Sequence, residues 1–400
     1  MRREIRKIGV GTVKISALGK KYVNQAMDND RLSYGPFLRR FENEFAALHD
    51  RKFAISCNSG TSALQIALGA MKEIHGWKDG DEVIVPSITF IATSNIVLQN
   101  GMKPVFVDVD SLTCNMDPNK IEAKITDRTR AIIPVHLFGL SAEMEPIMKI
   151  AKKHNLKVIE DSCETMFVKY KGAPVGSRGD ISCFSTYTAH LVVTGVGGLA
   201  LTNNPEYAVV MKSMMNHGRD SIYLNIDADD ALRSDKEILK MADRRFSFIR
   251  MGYSFRLTEL EGALGVAELV QRTQNLKNRL ANAKYLIAGL SKYKDLIQLP
   301  SWPKYAEHAF MMFPLVVKHP KLKRDEIITY LEKNGIETRY LMPLINQPYY
   351  KKIFGDIESK YPVAAWINKN GFYVGCHQTL NKKDLDYMIE VFSKFLNKWI

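Results

Sequence analysis

Short apolar runs rich in β-branched residues alternate with helical patterns between about residues 50 and 205. The runs are predicted to form strands at residues 53–57, 82–86, 104–108, 131–135, 157–161, 181–187 and 198–202. Helical patterns cover residues 61–75 and 89–99. Strands separated by helices are typical of a mainly parallel sheet with helices on both faces. The pattern therefore predicts an α/β fold that binds its ligands in the loops after the strands' carboxyl ends.

The second half of the chain has a different pattern. Residues 220–248 are charged and weakly periodic, which indicates an inserted surface segment or a helical lid. A helical pattern without proline runs from about 257 to 290. A strand at 310–317 and helices at 324–334 and 382–399 follow it. We expect a large domain over residues 1–255, then a connecting helix and a small C-terminal α+β domain over residues 256–400.

Composition narrows the class of protein. The chain has 400 residues, of which 46% are hydrophobic and 25% charged, as in ordinary globular proteins. No apolar stretch is long enough to cross a bilayer, and the basic start of the chain has no apolar signal core. We therefore expect a cytoplasmic protein that does not act at a membrane.

Cysteine spacing and charge exclude several kinds of site. The five cysteines form no CxxC pair, so we expect no disulfide framework, no metal site and no iron–sulfur cluster. The net charge of +13 is spread along the chain in short clusters. This spread favours a solvated basic surface, or an anionic small substrate such as a nucleotide sugar, over nucleic-acid binding.

Two segments carry polar residues at the ends of predicted strands. Gly60 and Thr61 stand where a strand passes into a helix, and the free N–H groups and helix dipole there favour an anion. Simple helix capping by Ser59 or Thr61 accounts for the same residues. Asp161 ends another strand, and its carboxylate needs a partner, which can be a pyridinium nitrogen, a basic side chain or a helix terminus.

A third segment joins a strand end to a glycine-rich turn. Ser185 and Tyr187 end the strand, His190 follows, and the turn occupies residues 195–198. The Ser185 hydroxyl can bind a phosphate. A lone histidine in such a place is more often structural, but here it stands beside two other candidate motifs.

These three segments, with PSITF at residues 86–90 and GYSFRLTE at residues 252–259, resemble the DegT/DnrJ/EryC1/StrS family of sugar aminotransferases. The resemblance extends in the same order from Gly35 to the C-terminal helix. It implies a fold-type I enzyme that depends on pyridoxal phosphate (PLP). It also implies a homodimer with active sites at the subunit interface.

The resemblance assigns roles to the residues that match the family's motifs. Gly60, Thr61 and Ser185 are expected to hold the cofactor phosphate, and Phe90 to stack on the pyridine ring. Asp161 is expected to pair with the ring nitrogen.

Three positions depart from the family's usual pattern. Ser254 replaces an asparagine that reaches the phosphate from the neighbouring subunit, and its shorter side chain puts that contact in question. Glu164 replaces a glutamine or histidine near the cofactor. His190 replaces the Schiff-base lysine, and an imidazole cannot form a stable Schiff base.

The segments Tyr187-Thr-Ala-His190 and Asp161-Ser-Cys-Glu164 are similar to the family's 4-keto-6-deoxysugar 3-dehydratases. The turn lacks a glutamate that is frequent in that branch. The branch implies pyridoxamine phosphate (PMP) as cofactor. A histidine there removes a proton from the cofactor's C4′ and assists the departing C3 hydroxyl. Without a cysteine cluster, the type that regenerates PMP from glutamate is favoured over the iron–sulfur type.

Two alternatives stay open from the sequence. One is a nucleotide-sugar aminotransferase or related PLP enzyme that uses another lysine or an unusual cycle, and the other is a non-catalytic relative that binds cofactor or nucleotide sugar. The candidate substrate contacts are Tyr34, Tyr187, Arg219 and Arg339. Arg256 is expected to be a structural ion-pair partner, and His136 to serve packing rather than catalysis.

Overall fold

The computed structural model describes residues 6–220, 234–244 and 246–400. Its central feature is a sheet in the order β1-β9-β8-β5-β4-β2-β3. The strands of this sheet are β1 (Phe53–Cys57), β2 (Glu82–Pro86), β3 (Lys103–Val107), β4 (Thr129–Ile132), β5 (Lys157–Asp161), β8 (Ile181–Ser185) and β9 (Gly198–Thr202). A short hairpin of β6 (Lys169–Tyr170) and β7 (Ala173–Pro174) lies between β5 and β8 in the chain.

The sheet is parallel except at β9. Strands β3, β2, β4, β5 and β8 pair in parallel, whereas β9 runs antiparallel to both β8 and β1. Every residue of β2, β8 and β9 is buried, as expected when helices cover both faces. The predicted mainly parallel α/β fold is confirmed. Strand β4 ends at Ile132 rather than at residue 135, and Pro134 has no N–H to extend the pairing.

Helices cover this sheet and continue into the second domain. Those that come before the small domain's strands are α1 (Ala17–Asp28), α2 (Pro36–Leu48), α3 (Gly60–Ile74), α4 (Ala92–Gln99), α5 (Met144–Lys153), α6 (Pro205–Met215), α7 (Asp235–Arg244) and α8 (Glu259–Leu290). Helix α3 is buried along most of its length. None of the described helices is both long and apolar enough to span a membrane.

A second sheet, in the order β10-β11-β13-β12, forms the small domain. Its strands are β10 (Ile297–Gln298), β11 (Phe313–Val317), β12 (Thr338–Tyr340) and β13 (Gly371–Val374). Its helices are α9 (Arg324–Lys333), α10 (Pro348–Phe354), α11 (Pro362–Asn370) and α12 (Lys382–Leu396). A separate apolar core lies here, and Ile8 packs into it from the start of the chain. The domain division at residue 255 stays a prediction.

The predicted surface segment at 220–248 lies partly outside the described residues. Within the described part, helix α7 exposes Ile238 and Leu239 on its surface. The interpretation of this segment as an insertion or a lid therefore stays a prediction.

Helix α8 caps the start of α2 through one buried side chain. The Glu259 carboxylate accepts hydrogen bonds from Phe37 N at 2.6 Å and Leu38 N at 3.0 Å. Gly35, the N-cap of α2, has no side chain that could do so, and a Cβ there would lie 2.7 Å from the Glu259 carboxyl carbon. Glu259 therefore joins two helices by supplying a cap that the local sequence lacks.

We expect Glu259→Ala to lower the free energy of unfolding by about 2 kcal/mol, because two N–H groups lose their acceptor. Urea denaturation followed by circular dichroism measures this change. Glu44→Ala is the matched control, since Glu44 makes an exposed ion pair with Arg40 that contributes less than about 1 kcal/mol. Equal losses in both variants would contradict the capping role.

Candidate active site

A cavity of about 420 Å³ opens at the carboxyl ends of the parallel strands. The start of α3, the segment before α4, the end of β5 and the loop after β8 form one side of it. The small domain closes the other side with Met311, Met312, Met342 and Tyr373. Predicted residues that meet in this cavity are Gly60, Thr61, Phe90, Asp161, Glu164, Ser185, Tyr187 and His190.

The start of α3 forms an anion-binding end of the cavity. Ser59 is the N-cap, and its hydroxyl accepts a hydrogen bond from Ser62 N at 3.0 Å. The capping interpretation is therefore correct for Ser59, while the first N–H groups of α3 remain available for an anion. A Cβ at Gly60 would lie 2.7 Å from Ser185 Cβ, so a larger residue would close the space beside the Ser185 hydroxyl.

Asp161 is a buried carboxylate with neutral hydrogen-bond donors. Thr93 Oγ1 donates to Oδ2 at 2.7 Å, and Cys163 N donates to Oδ1 at 3.2 Å. Burial raises the pKa of Asp161, although these two hydrogen bonds oppose the change. A cationic N–H in the cavity would compensate the desolvated charge, so the carboxylate fits a pyridinium nitrogen.

His190 is held by one ring nitrogen. Its Nδ1 lies 2.5 Å from the Cys163 carbonyl oxygen, which can only accept, so Nδ1 carries the hydrogen and Nε2 the lone pair. Burial lowers the pKa of His190 to about 4, despite that hydrogen bond. The imidazole is therefore neutral near pH 7, and its Nε2 is a base. No lysine is among the described residues that line the cavity.

Two further side chains, those of Glu164 and Phe90, line the cavity. Glu164 accepts a hydrogen bond from Phe138 N at 2.8 Å, while burial and the nearby Asp161 charge raise the pKa of Glu164 to about 7. Phe90 is 58% exposed, which leaves its ring free to cover a bound planar group. Glu164 can therefore hold or release a proton near neutral pH.

Other candidate residues lie outside this cavity. The Tyr34 hydroxyl donates to the buried Glu42 at 2.6 Å, and Ser254 Oγ accepts from Arg256 at 3.1 Å. The Arg219 guanidinium lies over the exposed rings of Phe246 and Phe248. None of the three is among the described residues that line this cavity, so their contacts with substrate or cofactor stay predictions.

Arg339, Arg256 and His136 have different surroundings. Arg339 forms an ion pair with Glu337 and lies on β12, opposite Tyr373 on β13. This position is next to the cavity but not in its lining. Arg256 makes hydrogen bonds rather than the expected ion pair in the described part of the chain. His136 is buried against Glu160, in accord with a packing role.

Sequence reasoning missed the small-domain side of the cavity. Thr93 carried a weak signal, because it lies in the helix after the PSITF segment, one turn from Thr89. Tyr373 and the three methionines had none, since their strand and loops contain no recognisable motif.

The DegT/DnrJ/EryC1/StrS aminotransferase family profile matches residues 14–393. The chain belongs to this family. GDP-perosamine synthase of Caulobacter vibrioides is 33% identical over 98% of this chain and 99% of that protein. The dTDP-4-dehydro-2,6-dideoxy-D-glucose 3-dehydratase of Saccharopolyspora spinosa is 30% identical over 92% of this chain and 82% of that protein. The family thus includes both sugar aminotransferases and 3-dehydratases.

Solved structures identify the same fold. The E. coli GDP-4-keto-6-deoxy-D-mannose-3-dehydratase with bound hydrated PLP has a TM-score of 0.87, covering 97% of this chain and 100% of that one at 24% identity. The fold is that of PLP-dependent aminotransferases. As a family member with this cavity, the protein is an enzyme of the PLP-dependent sugar aminotransferase or dehydratase type.

We expect Gly60→Ala to weaken PLP binding by at least about tenfold, because its Cβ would displace Ser185 or Cys163. An absorbance titration with PLP measures the affinity. Gly19→Ala is the control, since a Cβ there meets atoms no closer than 3.4 Å within a helix. Circular dichroism distinguishes lost binding from lost folding, and unchanged affinity in a folded Gly60→Ala protein would contradict the proposed cradle.

We expect the His190 imidazole to titrate near pH 4 in the folded protein, against about 6.5 in an unfolded chain. Because the folded-state pKa is the lower one, this residue's contribution to stability is complete above pH 6.5 and decreases as the pH falls towards 4. NMR of ¹³C-histidine-labelled protein measures the titration, with His190→Gln for assignment. A midpoint near 6.5 would show that the ring is well solvated.

Proposed function

We propose that this protein is a PMP-dependent 3-dehydratase of nucleotide-linked 4-keto-6-deoxysugars, with His190 as its acid and base. The observation that carries the proposal is the neutral His190 at the position of the family's Schiff-base lysine. No lysine among the described lining residues replaces it.

The cavity residues support the cofactor's place in this proposal. The start of α3 at Gly60 and Thr61, with Ser185, would bind the phosphate. Asp161 would keep a proton on the pyridine nitrogen, and Phe90 would cover the ring. When bound, the cofactor supplies an aromatic ring that accepts the electron pair released at the reacting carbon.

His190 would perform both proton transfers. Its Nε2 would take a proton from C4′ of the cofactor, because Nδ1 is held by the Cys163 carbonyl. The same nitrogen, once protonated, would donate to the departing C3 hydroxyl. The low pKa of His190 makes its protonated form a strong acid, which suits donation to a poor leaving group.

The remaining parts of the proposal concern partners. Glutamate would supply the amino group that regenerates PMP. In a homodimer, Ser254, Tyr34 and Arg219 would serve the neighbouring subunit's site, which is compatible with their position outside the cavity of their own chain. Tyr187 and Arg339 would contact the nucleotide sugar at the mouth of the cavity.

A second candidate is a nucleotide-sugar aminotransferase. The 33% identity to a GDP-perosamine synthase over nearly the whole chain favours it. This function would need a lysine from outside the described cavity lining, or an amino-transfer cycle without one.

The deciding assay incubates the protein with PLP, glutamate and a panel of nucleotide-linked 4-keto-6-deoxysugars, with products analysed by mass spectrometry. We expect loss of water and a 3-deoxy ketosugar. His190→Asn, which removes the base, should slow the reaction by about 10²- to 10⁴-fold. An aminosugar product from the wild-type protein would favour the second candidate.

Borohydride reduction of the PLP-saturated protein, followed by peptide mapping, gives a readout that does not depend on turnover. We expect no lysine of the wild-type protein to be labelled stoichiometrically. His190→Lys should become labelled at residue 190 and lose dehydration. Persistent dehydration by His190→Lys would exclude His190 as the catalytic base.

A further inference from the structure

A second cavity, of about 340 Å³, lies between the segment before α1, one side of α8 and the loop after His190. Its volume is within the range of roughly 300–1,000 Å³ typical of small-molecule sites. Among the residues that the structure describes, it shares no lining residue with the cofactor cavity. The proposed dehydration uses none of its described lining residues.

One wall of this cavity is a polar stripe on α8. Glu268, Gln271, Asn275 and Asn278 recur at spacings of three and four residues, which places them on one helix face. A surface helix of a globular protein usually buries its apolar side. Here four half-buried polar side chains face a cavity instead.

Two groups in the lining lack adequate hydrogen-bond donors. Gln378 Oε1 is buried and has no hydrogen-bond partner in the described part of the chain. Burial raises the pKa of Glu268 to about 7, although the Val193 backbone N–H acts to lower it. Buried acceptors of this kind are costly unless a donor reaches them.

The lining also restricts the charge of a ligand. The described lining contains one basic side chain, Lys14, and one acidic side chain, Glu268, so it lacks the cluster of cations that a phosphate site usually has. Val13 and Ile15 add half-exposed apolar surface. Amide, carboxyl and hydroxyl groups beside aliphatic side chains suit a molecule that has hydroxyl groups and C–H faces.

We propose that this second cavity binds a neutral carbohydrate, with Gln271, Asn275 and Gln378 hydrogen-bonding to its hydroxyl groups. The hydroxyls supply donors to Gln378 Oε1 and to Glu268. The proposal does not depend on the dehydratase function, because it uses none of the cofactor-cavity residues.

The test is saturation-transfer NMR titration of the PLP-saturated protein with L-fucose and D-mannose. Saturating PLP occupies the cofactor end of the other cavity, and the Gln271 and Asn275 variants decide whether a sugar signal comes from the second cavity. We expect saturable binding by the wild-type protein, weakened at least tenfold in Gln271→Leu and in Asn275→Leu. Thr273→Leu is the control, since it places the same side chain on the exposed side of the same helix and should bind as the wild type does.

Several outcomes would overturn the proposal. One is the absence of saturable sugar binding, which would also result if a second subunit covered the cavity. Another is equal binding by Gln271→Leu, Asn275→Leu and the wild-type protein. A third is binding of inorganic phosphate by a protein that gives no sugar signal. None of these results bears on the dehydration assay, so failure of one proposal leaves the other intact.

Discussion

The site depends on a buried carboxylate for which the described chain provides no cation. Glu160 and Asp161 are consecutive at the end of β5, and both are buried. The negative charge of Glu160 has partners. Burial acts to raise the pKa of Glu160, but the hydrogen bond with His136 and the nearby Arg51 charge lower that pKa to about 2. Asp161 has neutral donors, and burial raises its pKa. Glu160 thus joins β5 to neighbouring segments, whereas the Asp161 carboxylate can pair with a cationic ligand.

The anion-binding end depends on close contact between backbones. A Cβ at Gly198 would lie 2.5 Å from the backbone of Ser59 and Gly60, so β9 can approach the turn before α3 only with glycine there. The start of α3 also lies beside Ser185, since a Cβ at Gly60 would be 2.7 Å from Ser185 Cβ. The antiparallel β9, an exception in the sheet, therefore contributes directly to the cofactor end of the cavity.

The geometry around His190 connects the same strands to proton transfer. The carbonyl that fixes its ring belongs to Cys163, two residues after Asp161. The loop that holds the base is thereby joined to the strand that holds the ring-nitrogen partner. Burial lowers the pKa of His190 and the carbonyl fixes its tautomer, so the imidazole is neutral and Nε2 is its basic atom. Because His190 lines the cavity, a ligand can reach this atom, as it could not in a closed core.

The sequence by itself determined the succession of strands along the chain and the residues at the strand ends. Hydrophobic periodicity, glycines and the polar residues between apolar runs are local signals. Parallel strands bring their carboxyl ends to one edge, so Gly60, Asp161 and Ser185 could be expected to meet. Helices α9 and α12 begin at the predicted residues, whereas the starts of α3, α4 and α8 differ from the prediction by one to three residues, since capping depends on individual side chains. Only the tertiary structure decided that Tyr373 closes the cavity and that Tyr34 and Ser254 lie outside it, because such contacts join segments far apart in the chain and leave no local pattern.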